Sequence, residues 1–273
     1  MFRLQSHRGA RGLMPENTLQ AFAYSLECGV CAMEFDLVVS ADKQLVVSHE
    51  AWFSAQISTT PDGKPILPDE EHRHNIYQMA YQKVRQYDCG QRQHPAFQQQ
   101  ETMPAFKPLF SEMVHFCDTY AEILRLPLPL YNIEIKTEGQ VNDGIFQPPP
   151  DEFAELVCRA IYTENIADRC IVQSFDERIV QAVKRLDKCL PLSLLVENDA
   201  SLEENLDRLG FLPQYYSPYY GFINPELVEK VHALSMHLMT WTVNEFNTIK
   251  QLRNWGVDEV ITDYPNLIRQ LND

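Results

Sequence analysis

From residue 111 to the C-terminus, short apolar runs alternate with segments of helical spacing, and few folds accept that rhythm. Runs at 131–136, 170–175, 192–196, 215–216, 238–243 and 260–262 read as strands. Helical patterns fall between them, near 151–165, 176–187 and 245–255. Ser201 with Glu204 forms a Ser-x-x-Glu capping box, and Asn224-Pro225 opens another helix in cap-then-first-turn order. Strands separated by helical crossovers pair in parallel. A short strand at 2–6 and a helix running from Asn17, as N-cap, to a stop at Gly29 extend the same pattern to the N-terminus.

The stretch 31–50 adds one irregularity. Cys31, Met33, Phe35 and Leu37 alternate with Ala32, Glu34 and Asp36, the period of a strand. Two carboxylates therefore leave an apolar strand on one face. A second run, 45–49, follows a link too short for a parallel crossover, so a hairpin is expected. With its turn centred on Ala41-Asp42, Glu34 falls opposite His49 and Asp36 opposite Val47. Eight helices against nine strands, one of them from this hairpin, point to a (β/α)8 TIM-type barrel. A doubly wound sheet is the alternative, but no G-x-G-x-x-G follows a strand. The poorly periodic residues 51–110, with helix near 76–86, read as an insertion after the third strand, over the active-site end of a single barrel domain spanning 1–273.

Charge and cysteines narrow the chemistry. With 38 acidic and 23 basic residues, the net charge of −15 argues against a nucleic-acid partner. Seven cysteines without a C-x-x-C spacing read as free thiols in a reducing compartment. No signal-like segment or 18-residue apolar run is present, so a cytoplasmic protein without stable membrane association is expected. His72 and His74 have no third ligand nearby and read as a solvated loop.

A barrel builds its site at the C-terminal ends of its strands. There the chain offers His7-Arg8, then Glu34 and Asp36, then His49, then Glu134 and Lys136, and later Gln173, Ser174 and Trp241. Gly9 after His-Arg is expected to leave room for a ligand. Three carboxylates suit a hard divalent cation such as Mg²⁺ or Ca²⁺. Two histidines beside them can move protons near neutral pH, and Arg8 and Lys136 favour an anion. Together these describe phosphoryl transfer.

The ordered set HRG (7–9), PENT (15–18), EFD (34–36), VVSHE (46–50), NIEIK (132–136), QSF (173–175), WTVN (241–244) and ITDYP (261–265) resembles the glycerophosphodiester phosphodiesterases. The resemblance runs from near residue 6 to near residue 265, with 51–110 as that family's insertion. It implies a barrel that hydrolyses small-molecule glycerophosphodiesters to an alcohol and glycerol 3-phosphate with Mg²⁺ or Ca²⁺. By position it makes His7 and His49 the acid/base pair and Glu34, Asp36 and Glu134 the metal ligands. Arg8 and Lys136 would hold phosphate, while Phe175 and Trp241 would line an apolar side. It also favours attack by the substrate's own glycerol hydroxyl. The family usually has aspartate where this chain has Glu50, so the resemblance gives Glu50 no role. A phospholipase-D-like or phosphoinositide-specific enzyme, or a non-catalytic binding barrel, would share the fold.

Overall fold

The structure, a computed structural model, describes residues 2–272. Met1 and Asp273, the ends of the expected domain, lie outside the described residues. Eight strands pair in parallel: β1 (Arg3–His7), β2 (Ala32–Val39), β4 (Leu130–Ile135), β5 (Cys170–Ser174), β6 (Leu192–Val196), β7 (Tyr215–Pro218), β8 (His237–Thr240) and β9 (Glu259–Thr262). Strand β1 pairs with both β2 and β9, which closes the barrel. The ninth strand, β3 (Leu45–Val47), lies antiparallel to β2 outside the ring.

Every residue of β2 is buried. Met33, Phe35, Leu37 and Val39 face the helices, where Phe35 packs edge-on to Phe22 with centroids 6.0 Å apart. That ring belongs to α1 (Leu19–Glu27), and Phe110 of α3 (Phe110–Leu124) packs on the other side. Glu34 and Asp36 consequently point into the barrel. The interior is polar above and below them: Asn132 Nδ2 donates to Gln5 Oε1 at 2.9 Å and to Gln173 Oε1 at 3.2 Å.

Three local expectations are corrected. The hairpin register is Leu37↔Val47 and Val38↔Val46, one residue away from the pairing expected of a turn centred on Ala41-Asp42. A one-residue slip reverses which side chains share a face, so His49 does not reach Glu34 by direct cross-strand pairing. The N-cap of α1 is Thr18, whose hydroxyl accepts from the Ala21 N–H, while Asn17 adopts φ 56° and turns its amide elsewhere. Gly9, at φ 83°, makes room for a helix rather than a ligand: a Cβ there would lie 2.7 Å from that of Ala21.

Residues 51–109 hold a second apolar cluster of their own, with Phe53 stacked 4.0 Å from Tyr87, and this cluster packs on Val38 and Val46 of the hairpin. Its helix is shorter than expected, a turn at Ile76–Gln78 and then α2 (Tyr81–Val84). His72 packs against Trp52 and Phe146 rather than a ligand set. None of the described helices is long and apolar enough to cross a membrane.

Candidate active site

Strand register assembles the site. His7 lies beside Glu34 across β1–β2, and Asp36 lies beside Glu134 across β2–β4. One oxygen from each of Glu34, Asp36 and Glu134 can be chosen so that all three lie within 4.8 Å of one another. Burial, then the charges of Asp36 and Glu134, push the Glu34 carboxyl well above its ordinary range. Burial raises the Asp36 pKa as well, yet Arg8, His49, Lys136 and the Asn17 amide together hold its carboxyl far below the usual range. Asp36 Oδ1 is nonetheless buried with no hydrogen-bond partner. Crowded anionic oxygens, one of them orphaned, fit a hard divalent cation. Among the described residues no other group of three His, Cys, Asp or Glu side chains has such a geometry.

Each histidine is tied at the same atom. His7 Nδ1 lies 2.6 Å from Asp263 Oδ1, and Asn244 Nδ2 donates to the other Asp263 oxygen at 2.7 Å. His49 Nδ1 lies 2.7 Å from Glu50 Oε1. A carboxylate can only accept, so in a neutral ring the proton is fixed on Nδ1 and Nε2 keeps its lone pair. His7 Nε2 stands 3.9 Å from Glu34 Oε2. Burial, together with the charges of Arg8 and Arg11, lowers the His7 pKa despite the Asp263 carboxylate, which favours the neutral ring.

His7, Arg8, Glu34, His49, Glu134, Lys136, Phe175 and Trp241 all line one cavity of about 300 Å³, and Asp36 lies buried alongside Arg8. All nine residues to which the family resemblance gives a role thus come together. Arg8, in the left-handed region at φ 49°, donates from its backbone N–H to Glu34 and from Nη1 to Glu16 at 2.8 Å. Burial would lower the Arg8 pKa, but Glu16 and Asp36 raise it further. Lys136 Nζ lies 3.0 Å from Glu134 Oε1, and the charges of Glu134 and Asp36 outweigh its burial and raise its pKa. Phe175 and Trp241 meet edge-to-face at 5.2 Å, and Trp241 is fixed by a bond from Nε1 to the Ser217 carbonyl.

Four of the residues involved here carry no site role in the sequence analysis. Glu16 and Asn17 sit in PENT, Asn244 in WTVN and Asp263 in ITDYP. Their signal was an acid or amide placed just after a strand or before a helix, which three dimensions set against an arginine or histidine (Glu16, Asp263) or against a carboxylate (Asn17, Asn244). Arg11 and Gln173 also line or border the cavity, and Gln173 Nε2 donates to Glu34 at 3.3 Å.

Residues 7–267 match the model of the glycerophosphoryl diester phosphodiesterase family. The glycerophosphodiester phosphodiesterase of Caldanaerobacter subterraneus is 29% identical over 97% of each chain. A lysophospholipase D of Rattus norvegicus is 23% identical, covering 97% of this chain and 84% of that one. A solved Silicibacter pomeroyi protein, itself proposed to be a glycerophosphoryl diester phosphodiesterase, superposes with TM-score 0.85 at 29% identity, covering 99% of this chain and 94% of that one. An Oleispira antarctica phosphodiesterase solved with the product sn-glycerol-3-phosphate shares the fold at TM-score 0.77 and 21% identity, covering 99% and 97%.

Proposed function

The chain belongs to the glycerophosphoryl diester phosphodiesterase family, and from that premise we propose that its mouth cavity hydrolyses glycerophosphodiesters to an alcohol and glycerol 3-phosphate. Two histidine–carboxylate pairs beside a carboxylate triad are the observation on which this rests. Glu34, Asp36 and Glu134 would hold Mg²⁺ or Ca²⁺, which when bound supplies charge stabilisation to the reacting phosphoryl group. Arg8 and Lys136 hold the phosphate, and Phe175 and Trp241 border the apolar side. Residues 51–110 wall the active-site end of a single domain. The seven free thiols fit a cytoplasmic setting.

One histidine takes the proton from the glycerol 2-hydroxyl through Nε2. That oxygen bonds to phosphorus, the bond to the leaving alcohol breaks, and the other histidine gives the alcohol its proton. Water then opens the cyclic phosphate, with the two histidines exchanging roles. Internal attack gains from proximity, where effective molarities can reach about 10⁵ M. Asp263 and Glu50 keep each ring oriented and stabilise it when doubly protonated.

The test is release of glycerol 3-phosphate from a panel of glycerophosphodiesters, with Mg²⁺ or Ca²⁺ returned to stripped enzyme. No release with either metal would refute the activity. An analogue lacking the 2-hydroxyl should bind and scarcely turn over; a comparable kcat would mean direct attack by water. The lysophospholipase D relative and the exposed ring of Phe175 support a second reading, a lysophospholipid substrate, which the same panel tests with lysophosphatidylcholine.

A further inference from the structure

Among the described residues three Lys and Arg side chains line the cavity, and they differ in which of their donors are already taken. Lys136 Nζ is bound to Glu134, and Arg8 is engaged with Glu16 through Nη1 and lies against Asp36 through Nε. Arg11 commits only Nε, to Glu16 Oε2 at 2.6 Å. Its two Nη groups have no protein partner among the described residues, and its side chain keeps 25% of its exposure. Glu16, itself buried, therefore carries one arginine on each oxygen and sets their spacing.

The insertion supplies the rest of the mount. The Arg11 guanidinium lies over the Phe97 ring, 5.1 Å from its centroid. Gln100 Nε2 donates to the Arg11 carbonyl at 2.7 Å, and the Glu101 N–H donates to the Leu13 carbonyl at 2.8 Å. His94 is buried beside the same carboxylate, its Nε2 3.9 Å from Glu16 Oε2. A guanidinium fixed at Nε, backed by a ring and open at both Nη groups presents a fork that matches two oxygens of a phosphate.

We infer that Arg11 is a further phosphate-binding residue, and that Phe97 of the insertion is the positioning residue that presents it. The inference rests on the proposed phosphodiesterase activity. It gives the insertion a direct task, because its residues 97–101 hold the one cavity-lining arginine, among the described residues, with both Nη groups free of protein hydrogen bonds.

The experiment measures inhibition by sn-glycerol 3-phosphate of the metal-loaded enzyme, together with kcat, KM and Tm, for wild type, R11K, R11M and F97L. Charge-assisted hydrogen bonds of this kind are typically worth roughly ten- to hundredfold in binding, so R11M should weaken inhibition and raise KM by that range with metal content unchanged. R11K, which keeps the charge and loses the fork, should fall between. F97L should weaken inhibition roughly two- to fivefold in wild type and not at all in the R11M background. Unchanged inhibition in R11M with a lowered Tm would make Arg11 a structural residue and overturn the inference. Equal effects of F97L in both backgrounds would overturn the part given to Phe97. A wild type that neither turns over nor is inhibited would remove the phosphodiesterase reading and this one with it, an outcome distinct from both.

Discussion

At the N-terminal end of the barrel, Glu259 is buried with each oxygen taken: Arg3 Nη1 donates to Oε1 at 2.7 Å and Gln5 Nε2 to Oε2 at 2.5 Å. At the opposite end, three carboxylates crowd together and Asp36 Oδ1, Asn17 Oδ1 and Arg8 Nε are left without hydrogen-bond partners. Burial raises the carboxyl pKa at Glu259 as it does at Glu34, but next after burial comes the opposing charge of Arg3 at Glu259, with Asp258 a lesser contribution, and the like charges of Asp36 and Glu134 at Glu34. The lower site is closed, since its donors match its acceptors. The upper one carries charge and polar atoms that its protein neighbours do not meet, the property expected of the cation and phosphate site proposed above.

If that contrast is right, changes at the two ends should separate cleanly. The largest effect belongs to the histidines. His7→Ala and His49→Ala should each lose about 10²–10⁴-fold in kcat while still binding metal, measured by steady-state kinetics and elemental analysis. Near-normal kcat in either variant would make that histidine structural. Asp263→Asn and Glu50→Gln should each lose roughly 10–10²-fold, because an amide, which can also donate, no longer fixes the ring's tautomer and carries no charge to stabilise the doubly protonated ring. Glu34→Gln should abolish the stabilisation by added cation, which for an intact site is about 2.7 kcal/mol at a hundred times Kd, read as a rise in Tm.

The smallest effect comes from the lower end. Glu259→Gln should leave kcat unchanged and alter only how Tm depends on pH. The folded pKa of Glu259 is raised, so its protonated form adds stability that is fully present below the ordinary glutamate pKa. That stability is lost as pH climbs through the raised folded value. The variant should be flatter over this interval, and an identical slope in both proteins would assign the dependence to another group.

How much of this was legible in the sequence follows the same division. Alternating runs pointed to the barrel, and strand ends pointed to eight of the nine candidate site residues, because period and position along a strand are local properties; Phe175 came only from the family resemblance. The hairpin register was not legible. Lys43 enters the left-handed region at φ 61° and Ser40 closes the loop onto the Gln44 carbonyl, which centres the turn on Asp42. Nothing in the residue types at 40–43 forces lysine into that conformation. Asn17 had the composition of an N-cap, yet its amide goes to Asp36 at 2.9 Å and Thr18 caps the helix instead. Asp263 and Glu16 act through partners that only closure of the barrel or the fold of the 8–17 loop brings close, so no local pattern marks them, and Glu50, although next to its partner His49, shows that bond only in three dimensions.

The central claim is that the crowded carboxylates at the mouth are a cation site on which activity depends. Exhaustively stripped enzyme should be titrated with Mg²⁺ or Ca²⁺ while Tm and glycerol 3-phosphate release are followed in the same samples. Both should rise from a low or zero baseline with one shared midpoint in the wild type, and neither should respond in Glu34→Gln at those concentrations. Full turnover by the stripped enzyme, with no metal found by elemental analysis, would contradict the account.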